Sequence, residues 1–350
     1  MSGETTALVA LGRRTGRRGA GSPGQTRQVL SAFTGFVVIG VIVGAGYLAA
    51  RLRLVDEAGA LVLNRVAFFV AMPALLFTLT SRAQVGVLFS RFVVVATAAA
   101  LVTAALFVVA SRWWFAGPLV STTMGAAAAS YVNAGNIGLP VATYIVGDAQ
   151  YVVPQILVQV LVFSPVILGV LDLSTRGRVR VRDVLAQPVR NPIVPATALG
   201  TVVAAAGWSV PDMVAAPLST LGGAAIPMIL MAFGTSLRGR RPLAHGSPRR
   251  AVLVATGLKV AVMPAVAYLL ARALHLNDQL LFAVVITAAL PTAQNVNNYA
   301  SRYTEVSKLA HPSEPGADDV GRVQVLTRDV VLLTTIASVP VILALTALLR

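Results

Sequence analysis

The chain is expected to be an all-α polytopic membrane protein, with ten transmembrane helices arranged as two inverted five-helix repeats. Three observations support this. Charged residues make up 12% of the 350 and hydrophobic ones 56%, with a mean hydropathy of +0.78, whereas soluble domains carry about 25% charged residues. Ten apolar runs can be laid on the chain, most of them near the roughly 20 residues that a hydrocarbon core about 30 Å thick requires of a helix. Two of those runs, at matching places in the two halves, are interrupted by Asn, Gln, Gly or Pro. A membrane β-barrel would instead show alternating segments of about ten residues.

The runs follow in order. A basic tail over 1–28, containing Arg13, Arg14, Arg17, Arg18 and Arg27, is expected to be disordered. The apolar stretch behind it, 29–50, exceeds the roughly 7–15 residues of a signal-peptide core and is therefore a first span, despite the paired arginines. The second run, 60–80, carries Pro73, with Arg65 near one interface. Runs at 88–110, 120–146 and 151–173 complete a first half over 29–173. An Arg-rich linker over 174–191 holds Arg176, Arg178, Arg180, Arg182 and Arg190. The second half, 192–350, contains runs at 192–208, 212–237, 251–274, 279–303 and 325–349.

The net charge of +15 would suggest nucleic acid in a soluble protein; here it reads as topology, and no nucleic-acid partner is expected. Eighteen cationic residues fall on the loops joining spans 1–2, 3–4, 5–6, 7–8 and 9–10, against nine on the other side with the tail included. By the positive-inside rule those loops face the cytoplasm and both termini lie outside, in the plasma or inner membrane.

An odd number of spans per half produces inversion automatically, the arrangement of many secondary transporters. Gly46 and Pro73 recur as Gly200 and Pro227, 154 residues on, and "PALLF" (73–77) parallels "PMILM" (227–231). "NAGN" (133–136) lies over "TAQN" (292–295) at an offset of 159. Paired interrupted spans point to discontinuous helices that cross near mid-bilayer. Irregular backbone survives in lipid only when buried in protein or lining a wet cavity. Pro291 removes a helix amide, and Gly135 and Gly138 loosen the fourth span, just before Pro140. Half-helix N-termini attract anions, and the carboxamides of Asn133, Asn136, Gln294 and Asn295 both donate and accept hydrogen bonds. The solute site is expected over Asn133, Gly135, Asn136, Pro291, Thr292, Gln294 and Asn295, with Gly138 and Pro140 as the structural break.

Five stretches also carry a resemblance: "GYLAARLRLVDEAGALVLNRVAFFVAMPALLF" (46–77), "NAGNIGLP" (133–140), "RNPIVPATALG" (190–200), "AAIPMILMAFGTSL" (224–237) and "AALPTAQNVNNYASRY" (288–303). In that order they resemble the auxin efflux carrier family, which includes bacterial permeases and the plant PIN carriers. The resemblance implies the inverted-repeat fold of bile-acid symporters and sodium–proton antiporters such as NhaA, with helices four and nine crossing. It also implies small organic anions as substrates, and a homodimer. Asn133, seven residues before Pro140, stands where the plant carriers place an Asn that contacts the substrate carboxylate, and Pro291 matches the ninth-helix crossover proline. The plant pattern has a proline just before that Asn, where this chain has Val132, so the break is expected to lean on Gly135.

Lys259, within "GLKVAVMPAV", is the one charge well inside a run. A Lys at a span centre is a functional-site hypothesis by default, here attraction of an anion or a fixed charge during transport. Snorkelling to an interface is the alternative reading. All acidic residues fall at span ends or in loops, which argues against pure cation exchange, and Arg328 with Asp329 reads as a surface pair. The absence of cysteine excludes disulfides and thiolate chemistry. His245, His275 and His311 show no metal-ligand spacing, and no GxxxxGK[ST] nucleotide loop occurs. No metal, cofactor or catalytic residue is expected. The reading is a secondary active carrier of a small organic anion such as a carboxylate, with H+, Na+ or nothing as the coupling ion. A symporter of a neutral or amphipathic solute is the alternative, and a non-transporting membrane receptor or scaffold is the reading of another class.

Overall fold

The computed structural model describes residues 23–83, 90–115, 117–176, 182, 186, 189–236, 243, 246–310 and 317–349. Most of the basic tail and much of the Arg-rich linker lie outside them. The described residues form twelve helices. Helix α1 is Pro23–Arg51, opening six residues before the expected first span. Helix α2 joins Glu57–Val66, a π-turn at Ala67–Ala71 and Met72–Ser81. It starts where Asp56 accepts a hydrogen bond from the Gly59 amide at 2.7 Å, the usual N-cap device for a free first-turn amide. Helix α3 is Arg91–Trp114, and the fourth run splits into α4 (Leu119–Ser130) and α5 (134–146). Helix α6 covers 149–176, α7 is Ile193–Ala205, and α8 joins Asp212–Gly223 to Ala225–Ser236. Helix α9 covers 249–273. The ninth run splits into α10 (Asp278–Ala288) and α11 (Gln294–Ala310), and α12 is Ala317–Leu349.

Among the described residues, six helices are long and apolar enough to cross a membrane: Ala58–Ser81, Arg91–Trp114, Ala149–Ser174, Asp212–Ser236, Arg249–Ala273 and Gly321–Leu349. Shorter apolar helices at Val37–Arg51, Ala134–Val146, Ile193–Ala205 and Asp278–Ala288 accompany them. Large apolar side chains such as Leu199, Met213, Leu269 and Ile336 stand exposed on the outside of the bundle. In water that surface would drive aggregation; against acyl chains it costs nothing.

The helices pack as two groups. In the first, α1 lies along the second half of α8 and α7 along the second half of α2. Both contacts depend on glycine: a Cβ at Gly46 would strike the Met231 backbone, and one at Gly200 would strike Phe77 and Thr80. Small residues are what let membrane helices approach this closely. The second group gathers α3–α6 with α9–α12, where α10 is buried against α3, α9 and α5.

One expectation is overturned here. Arg328 and Asp329 do not form a surface pair, because the Asp329 side chain is 0% exposed. Its Oδ1 accepts from Arg328 Nε and Nη2 at 3.1 and 3.0 Å, and its Oδ2 accepts from the Leu243 amide at 3.1 Å. Helix α12 begins eight residues before the expected span, so Asp329 sits three turns deep rather than at a helix end.

Candidate solute-binding site

The two interruptions meet. After α4 the chain runs extended through Tyr131, and Val132 pairs with Thr292 in an antiparallel bridge. The Asn133 amide donates to the Pro291 carbonyl at 2.8 Å, and the Ala293 amide donates to the Tyr131 carbonyl at 3.1 Å. Each break therefore supplies the partner that the other lacks, as lipid demands of unwound backbone. Thr292 completes the accounting. Its Oγ1 donates to the Ala128 carbonyl at 2.6 Å, and its amide donates to Thr334 Oγ1 at 3.0 Å. The unwinding falls at 131–133, ahead of both Gly135 and Gly138. It does not lean on Gly135, because the cross-bridge needs only extended backbone, which a β-branched Val adopts readily. Gly135 and Gly138 instead lie in the π-turn Ala134–Gly138 that opens α5. Pro140 is buried one turn further on.

Gly138 answers to packing: a Cβ there would stand 2.8 Å from Val152 Cγ2 and 3.0 Å from Leu290 Cδ1, at the elbow of the other break. Lys259 answers to charge. It is completely buried, and its Nζ donates to the Ala288 carbonyl at 2.7 Å and contacts Met263 Sδ at 3.3 Å. Ala288 is the last residue of α10, so the ammonium caps a half-helix C-terminus, where the macrodipole is negative. The side chain turns inward and does not snorkel.

On the opposite face of the crossing is a cavity of about 80 Å³. Its floor holds the buried Asn133 and Gln159, while the exposed Asn64 and Asn295 stand at its mouth. Gly135, Asn136, Tyr131, Asn191, Phe68 and Met72 complete most of the wall. The first turns of α5 and α11 thus face the cavity together. Asn133 Oδ1 caps the Asn136 amide at 3.2 Å, and the Gly135 and Asn295 amides are left without a backbone acceptor. Such free first-turn amides make helix N-termini anion sites. A buried hydroxyl chain holds the arrangement from behind: Tyr131 Oη lies 2.9 Å from Ser164 Oγ, which lies 2.8 Å from Tyr299 Oη. It ties the α4 break to α6 and α11.

Of the residues expected in the site, Asn133, Gly135, Asn136 and Asn295 line the cavity. Pro291 and Thr292 lie behind it, spent on the cross-bridge. Gln294 is half-buried at the start of α11 and does not line it. Sequence reasoning missed Asn64, Gln159 and Asn191. Each is an isolated amide in or beside an apolar run, and nothing in its spacing separates it from interhelical packing.

The comparisons with known proteins give the family. The family model described as a membrane transport protein matches residues 31–310. An uncharacterized transporter of Methanothermobacter thermautotrophicus is 30% identical over 276 residues, covering 77% of this chain and 86% of that protein. Its members are transporters rather than enzymes, and multi-pass in the membrane. The chain belongs to this membrane transport protein family, that of the auxin efflux carriers.

Proposed function

We propose that the chain is a secondary transporter that moves a small organic anion, a carboxylate, by alternating access. The observation that carries this reading is the position of the cavity. One wall is the crossing, with the N-terminal turns of α5 and α11; the other is α2 and the start of α7, from the separate helix group. Motion of the crossing group against α1, α2, α7 and α8 would expose the solute first on one side and then on the other. Two inverted five-helix repeats account for the reciprocal glycine contacts, α1 on α8 and α7 on α2, and for the near-symmetric bonds across the crossing. The same reading places the Arg-rich loops in the cytoplasm with both termini outside, and pairs two copies as a homodimer.

The uncharged lining gives one specific reason to keep a second reading, transport of a neutral polar solute. Proteoliposomes separate the two. Uptake of a labelled carboxylate, lost in Asn133→Ala, supports the anion. Uptake of uncharged polar solutes alone supports the alternative, and wild-type carboxylate flux in Asn133→Ala refutes the assignment of the site.

A further inference from the structure

We infer that the cavity is matched to a small monocarboxylate bearing a second, uncharged hydrogen-bonding group, a 2-hydroxy acid in the simplest case, and that Gln159 reads that second group. This rests on the carrier reading above and narrows it to one class of solute.

The first argument is charge. A half-helix N-terminus is equivalent to about half a positive charge, and two of them, α5 and α11, open on the cavity. Together they supply about one unit, enough for one carboxylate. Among the described residues that line the cavity there is no Arg, Lys or His, and the Lys259 ammonium is committed to the Ala288 carbonyl. A second carboxylate would lose its water with no cation opposite it, the costliest kind of burial.

The second argument is independent of the helix ends. Gln159 is 5% exposed and lines the cavity, yet among the described residues none hydrogen-bonds its carboxamide. By contrast Asn133 Oδ1 holds the Asn136 amide, and Asn191 Oδ1 holds the Ile193 amide. Gln159 opens a π-turn, Gln159–Phe163, a distortion that recurs at functional sites. A buried amide aimed into a cavity needs a partner there. An alkyl tail offers none; a hydroxyl both donates and accepts. The cavity is small, about 80 Å³, which favours a compact acid over a fused-ring one.

The test uses the full chain in proteoliposomes, with uptake of labelled lactate and propionate and competition by malonate and indole-3-acetate. Lactate and propionate share charge and nearly share size. Lactate is expected to be preferred by about tenfold or more, with malonate and indole-3-acetate the weaker competitors. In Gln159→Leu the lactate-to-propionate ratio is expected to fall toward one, a readout that a general structural lesion, lowering both fluxes alike, would not move. If Q159L does not reconstitute, the wild-type panel alone decides. Equal lactate and propionate flux, malonate as the best competitor, or an unchanged ratio in Q159L overturns the inference. A reconstituted wild type that moves none of these acids overturns the carboxylate-carrier reading itself.

Discussion

The Asn133 amide donates to the Pro291 carbonyl at 2.8 Å, joining two helix breaks that lie more than 150 residues apart in the chain. This bond belongs to the backbone, so the crossing does not depend on the Asn133 side chain, which caps the Asn136 amide beside the cavity. Asn133→Ala should keep the crossing and lose only the cap on Asn136, a cost of about 1 kcal/mol. Carboxylate flux should nonetheless fall by on the order of tenfold or more. Thermal unfolding in detergent, measured beside uptake, separates the two effects.

Thr292 should behave in the opposite way. Its hydroxyl satisfies the Ala128 carbonyl at the end of α4 and does not reach the cavity. Thr292→Val keeps the shape and leaves that carbonyl unpaired, so stability should drop by about 1–2 kcal/mol. The fraction that stays folded should retain the solute preference of the wild type, measured as a ratio of fluxes.

Gly138 is limited by contact. Gly138→Ala sets a methyl against Val152 and Leu290, and overpacking of this kind costs about 1–3 kcal/mol. Leu290→Ala should restore part of the loss in the double variant. A double-mutant cycle on thermal stability reads the coupling, and strict additivity would show that the two residues do not meet.

Lys259→Met retains most of the volume and removes the ammonium at the end of α10. The change leaves the Ala288 carbonyl without its donor, a cost of about 1–3 kcal/mol, offset in part because a charge is no longer buried. The chain should still reconstitute, yet transport should be reduced, because α10 ends three residues before Pro291 and its dipole would be left uncapped. Wild-type turnover in Lys259→Met would restrict this residue to packing.

Leu243, in the left-handed region at φ 57°, donates its amide N–H to Asp329 Oδ2. Asp329→Leu should free the Leu243 amide and speed its hydrogen exchange. Amide hydrogen exchange read by mass spectrometry checks it.

The crossing was legible in the sequence because Asn, Gln, Gly and Pro are expensive inside lipid, and because "NAGN" and "TAQN" repeat the expense at matched positions. The exact point of unwinding was not. Backbone bonds from the partner break decide it, and Val132 carries no local mark of that bridge. Lys259 was visible as a charge within a span, but whether it turned inward depended on where α10 ended. Asp329 was misread because α12 starts at Ala317, further back than hydropathy suggests. Gln159, Asn64 and Asn191 were hidden for a simpler reason: a single amide in an apolar helix looks the same whether it faces a neighbour or a cavity.

The most direct test uses the fact that the chain has no cysteine, so a single introduced thiol reports alone. A Cβ at Gly135 would meet only Met72 Cε, at 3.7 Å across the cavity, so Gly135→Cys places its sulfur at the solute site with little strain. Its reaction with a small, water-soluble methanethiosulfonate should be fast and should slow when the transported carboxylate is present. A thiol that stays unreactive, or reacts at the same rate with and without every solute that the protein carries, would contradict a water-filled solute site between the two half-helix N-termini.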